Sequence, residues 1–191
     1  MIPYGTFTFF LIAFIVLIPV IILGFLGKRS YIYNGISTAI MIVIIFASDK
    51  HNLLGQKYLS AQLFCFIIYV IWQVALIMYY YQSRQRKNTF TKFVTIMVLS
   101  ILPLAIVKIL QSSWLGGHQI HFHESKLIEF VGFLGISYVT FKSVQLIMEI
   151  RDGSIKEIKV GKLIQFISFF PTISSGPIDR YKRYVKDDKK V

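Results

Sequence analysis

Long apolar runs separated by short polar stretches dominate the chain, at residues 7–26, 32–47, 59–81, 93–110 and 127–150. Each approaches the roughly 20 residues an α-helix needs to cross the hydrocarbon of a bilayer, so about five transmembrane helices are predicted, the second of them short. A further run, residues 163–170, stops at Pro171 and gives way to Thr172, Ile173, Ser174, Ser175, Gly176 and Pro177. It is too short to cross and too apolar for an ordinary loop, which predicts a re-entrant segment or a broken helix.

Composition agrees with lipid as the solvent. Hydrophobic residues make up 55% of the chain and charged residues 16%, with a mean hydropathy of +0.62, more apolar than a soluble domain needs for one core. The first run is uncharged, has no basic stretch before it and exceeds the roughly 7–15 residues of a signal-peptide core, so it reads as a retained span. No shift in composition and no internal repeat divides the chain, and residues 1–191 are expected to form one all-α integral membrane bundle. Cys65 is the only cysteine. It excludes an intrachain disulfide and reads as a small buried hydrophobe.

A net charge of +12 raises nucleic acid as a partner, but the basic residues sit in clusters between the apolar runs. Such clusters orient helices and meet anionic headgroups. Lys28 and Arg29, then Arg84, Arg86, Lys87 and Lys92, then Arg151, Lys156, Lys159 and Lys162 fall in alternate loops, whereas the loops between hold only Lys50, Lys57 and Lys126. Because cytoplasmic loops collect Lys and Arg, the N-terminus is expected to face outward. Trp114 and the histidines at 118, 121 and 123 then lie outside. The basic tail over 180–190 lies inside if the broken run re-enters, and outside if that run crosses.

Four polar residues of the fifth run, Tyr138, Lys142, Gln145 and Glu149, recur at i, i+4, i+7 and i+11 and therefore share one helix face. A lysine near mid-span costs about 2.5–3.5 kcal/mol on insertion scales, which demands burial, a partner or water. Two readings remain open: an internal polar cavity, or a structural role in which Lys142 pairs with Gln145 or Glu149 or snorkels to the inner surface. Lys108 and Glu129 sit near span ends, where headgroup anchoring suffices. His118, His121 and His123 have ligand-like spacing but no cysteine to complete a zinc set, so a solvated loop after Gly116 and Gly117 is expected, with no metal. No nucleophile elbow, phosphate loop or dinucleotide fingerprint is present.

The stretch Phe169-Phe170-Pro171-Thr172-Ile173-Ser174-Ser175-Gly176-Pro177-Ile178-Asp179-Arg180 is the most specific signal. Two prolines and a glycine break the helix, and the hydroxyls of Thr172, Ser174 and Ser175 can bond freed backbone groups. Such backbone at membrane depth either borders a substrate passage or forms a purely structural turn. With the upstream Gly135-Ile136-Ser137-Tyr138-Val139-Thr140-Phe141, it resembles the signature of the membrane-bound O-acyltransferases. The opening Met1-Ile2-Pro3-Tyr4-Gly5 with Phe9 and Phe10 resembles the branch of that family that serves teichoic-acid D-alanylation.

The resemblance covers essentially the whole chain and implies a multi-helix fold around a tunnel. It implies D-alanine as the acyl group, delivered on the phosphopantetheine thioester of a cytosolic D-alanyl carrier protein and passed across the cell membrane toward lipoteichoic acid. A small membrane subunit is a further implied partner, and no cofactor is bound directly. Tyr138, Lys142, Gln145, Ser174, Ser175, Gly176, Pro177 and Arg180 are the candidates for lining the passage. The family's catalytic histidine belongs to a later segment that nothing here matches. Because members are much longer, the chain is expected to be the N-terminal part of a longer protein, inactive alone. A transporter or flippase is the rival reading for the polar face and broken helix, and a structural membrane subunit the third.

Overall fold

The computed structural model describes residues 7–26, 31–47, 59–86, 89–111, 135–155, 157–170 and 180–190. Among these there are helices and connecting turns but no strands. In chain order the helices are α1 (Phe7–Phe25), α2 (Tyr31–Ala47), α3 (Leu59–Arg86), α4 (Phe90–Gln111), α5 (Ile136–Arg151), α6 (Val160–Ser168) and α7 (Tyr181–Lys190). Three of them, α1, α3 and α4, contain stretches long and apolar enough to cross a membrane, and α2 is apolar but shorter, as its run predicts. The fifth predicted span is described only from Gly135 onward, and its first part, residues 127–134, lies outside the described residues.

α3 outlasts its apolar run by a full turn. Residues 82–86 continue the helix, and Arg84 and Arg86 in the last turn complement the negative end of its dipole. α4 starts correspondingly early, at Phe90, so much of the basic loop expected over 82–92 is helix, with residues 87–89 between the two. Lys92 Nζ donates to Ser83 Oγ across it at 2.9 Å. Pro19 in α1 and Pro103 in α4 lie inside helices, which membrane helices tolerate better than soluble ones do.

α5 is bounded by glycines at both ends. Gly135 precedes it at φ 92°, and Gly153 follows at φ 74°, a region that side chains with a Cβ avoid. At the C-terminal end the Ser154 N–H donates to the Glu149 carbonyl (3.1 Å) and the Gly153 N–H to the Ile150 carbonyl (3.2 Å), a Schellman closure. A Cβ on Gly153 would stand 3.1 Å from the Arg84 guanidinium, the movable end of a long side chain, so it is φ rather than space that favours glycine there.

The principal core lies where α5 packs against both α3 and α4, with α6 laid over α2, α3 and α5 and α7 packed on α6. Ile77, Tyr80, Val139, Leu146, Ile147, Ile150, Leu163, Phe166 and Ile167 form its centre. A smaller cluster joins Phe9 of α1 to Met41 and Ile45 of α2 and to Phe170 just beyond α6.

Candidate functional site

Lys142 is the most informative of the expected site residues. It is 2% exposed, too buried to snorkel to a surface. Among the described residues, its hydrogen bonds run to backbone carbonyls of α6. Lys142 Nζ donates to the Phe166 carbonyl at 3.0 Å and lies 3.4 Å from that of Ile167. It also stands 5.5 Å from the centroid of the Phe166 ring. These carbonyls belong to the last turn of α6, where no further helical N–H follows to satisfy them. Lys142 is thereby answered by the end of α6, a partner that periodicity within the fifth run does not reveal.

The other members of the stripe flank it. Tyr138, Gln145 and Glu149 are half-buried. The Glu149 carboxylate lies beside the Gln145 amide, the backbone N–H of Lys182 and the charges of Arg180 and Lys182, with both oxygens sealed from solvent and no hydrogen bond closed to them. Arg180 is exposed and directly precedes α7. Below it Tyr181 packs edge-on to Phe166 at 5.4 Å, and Tyr184 contacts Phe166 and Phe169 at 5.5 and 6.5 Å. The structure therefore gathers Lys142, Glu149 and Arg180 around the end of α6 and the start of α7. Ser174, Ser175, Gly176 and Pro177 lie outside the described residues, as do Trp114, Glu129 and the histidines at 118, 121 and 123. Among the described residues no cluster of His, Cys, Asp or Glu is arranged to hold a metal ion.

A second polar assembly was not anticipated from the sequence. Thr140 Oγ1 donates to the Ile136 carbonyl at 2.7 Å. Its single proton is then spent, so Tyr69 Oη must donate to Thr140 Oγ1 across their 2.6 Å contact. Tyr69 Oη in turn accepts from Gln73 Nε2 at 2.8 Å. The second Nε2 proton goes to the Ser100 carbonyl at 3.0 Å, and Ser100 Oγ donates to Gln73 Oε1 at 2.7 Å. The Ser100 carbonyl can only accept, which sets the orientation of the Gln73 amide. This buried chain links α5, α3 and α4. Its sequence trace is faint: a tyrosine and a glutamine at i, i+4 inside one apolar run, and one hydroxyl among several in each of two others.

An apolar groove of about 810 Å³ lies between α2, α3 and α6, floored in part by Gly35, Ala39, Ala75 and Gly161. None of Tyr138, Lys142, Gln145 or Arg180 lines it, so this groove and the polar stripe are separate features.

No family model matches the chain. It is 46% identical to a teichoic acid D-alanyltransferase of Bacillus subtilis (strain 168), over 100% of this chain and 45% of that protein. It is 41% identical to one from Lacticaseibacillus rhamnosus, over 99% of this chain and 42% of the relative. A third, from Streptococcus thermophilus, is 32% identical over 99% of this chain and 41% of its own length. The stretch that bears these identities includes the helix-breaking segment and the α5 stripe that meets its two flanks. Along essentially all of its length the chain is therefore homologous to part of the teichoic acid D-alanyltransferases, and it spans less than half of the relatives it matches.

Proposed function

We propose that this chain is the helical scaffold of a membrane acyltransferase that moves D-alanine from a carrier-protein thioester across the membrane onto teichoic acid. The 46% identity to a teichoic acid D-alanyltransferase over the whole chain carries the reading. In the reaction proposed, an acceptor hydroxyl oxygen attacks the D-alanyl carbonyl carbon and a C–O ester bond forms. The C–S bond breaks, the phosphopantetheine thiolate leaves, and the hydroxyl proton passes to a general base. No residue of this chain is assigned as that base. The chain's own contribution is a sealed helical wall and a passage bordered by Tyr138, Lys142, Gln145, the 174–177 stretch and Arg180. The Lys/Arg distribution supports an outward N-terminus, with the α3–α4 connection cytoplasmic.

The test is D-alanine esterified to teichoic acid in cells whose only copy of the gene is intact, deleted, or restored. Deletion should abolish the ester and restoration return it. Normal esterification in the deletion strain would refute the reading, and movement of an intact solute without consumption of thioester would replace it with transport.

A further inference from the structure

Two charges on α5 meet two helix ends whose terminal turns hold no side chain of the favourable sign. α6 has no basic residue in its last turn, and α7 has no acidic residue in its first turn. A helix C-terminus carries partial negative charge on free carbonyls, and an N-terminus carries partial positive charge on free N–H groups. Lys142 supplies the missing cation at the end of α6, with Nζ 3.0 Å from the Phe166 carbonyl. Glu149 supplies the missing anion at the start of α7, beside the N–H of Lys182. The two residues are seven positions apart on one face of α5, about 10 Å along its axis. Each has the sign its helix end favours, and reversing the two would oppose both dipoles.

We propose that Lys142 and Glu149 are a pair of positioning residues, by which α5 holds the end of α6 and the start of α7 at a set separation and so places Arg180. That this placement serves donor transfer rests on the function proposed above. Spin labels at Val160→Cys on α6 and Lys186→Cys on α7, in full-length protein without other cysteines, read the separation directly. A single narrow distance is expected for the parent. Lys142→Met and Glu149→Gln should broaden or shift it, and Lys142→Arg, which keeps the cation, should leave it narrow. Glu149→Gln is nearly isosteric and keeps the test sound if Lys142→Met folds poorly.

D-alanyl transfer at matched protein levels should fall about tenfold in kcat for both charge-removing variants, with recovery in Lys142→Arg. An unchanged separation in Lys142→Met and Glu149→Gln would overturn the clamp. A changed separation with undiminished transfer would overturn its link to the donor. Absence of transfer in the parent protein would strike the proposed function instead, leaving the distances to judge the clamp alone.

Discussion

α1 and α3 are both apolar enough to cross a membrane, yet they are used in opposite ways. α1 is the more apolar, and only 6% of its spanning window is buried, against 44% for α3. In water the more apolar helix would be the better buried. In lipid, hydrocarbon tails solvate an apolar side chain as well as a protein core does, so apolarity alone gives helices no reason to associate. α3 is drawn inward by Tyr69 and Gln73, which find partners in Thr140 and Ser100. Among the described residues, α1 takes part in one interhelical bond of this kind, received at the Val16 carbonyl from Ser37 Oγ at 3.0 Å.

The contrast is broken most severely at Gln73. Gln73→Leu takes the acceptor from the buried Ser100 hydroxyl and one donor each from the Ser100 carbonyl and the Tyr69 hydroxyl, which keeps Thr140, and should cost about 2 kcal/mol. Denaturant unfolding in mixed micelles measures it, and a loss near zero would mean that apolar packing alone holds α3, α4 and α5 together.

A smaller effect is expected where α2 meets α6. A Cβ on Gly35 would come within 2.8 Å of Gln165 Nε2, the flexible end of a side chain, so Gly35→Ala should cost about 1 kcal/mol. Adding Gln165→Ala should remove most of that penalty. If the two losses simply add, close approach of α2 to α6 is not what the glycine provides.

Least of all should be lost at Ser37. Ser37→Ala deletes the bond to α1 but leaves Phe9 against Met41 and Ile45, and a loss of about 0.6 kcal/mol is expected in the same assay. A penalty as large as that at Gln73 would erase the distinction between the two regions.

The apolar runs alone place α1 through α4, because a bilayer demands a minimum length of uncharged helix whatever the packing. Helix ends were less legible. α3 extends through Gln82 to Arg86, since polar residues with good helical propensity continue a helix beyond the lipid at no cost in hydrocarbon. The α5 stripe was legible as a face, because helical periodicity is a local property. Its partners were not, because they are backbone atoms of a helix 24 residues away in sequence, and a carbonyl leaves no mark in a list of side chains.

By itself, then, the sequence determined that the chain lives in a membrane as helices, that Lys142 shares one helix face with Tyr138, Gln145 and Glu149, and that a stretch broken by proline and glycine follows. These rest on composition, helical period and the backbone limits of proline and glycine. Only the tertiary structure decided that Gln73 ties α3 to α4 and that Lys142 answers the carbonyls at the end of α6. Partner choice in lipid depends on which polar atoms come within about 3 Å of one another, and that distance is set by how the helices pack.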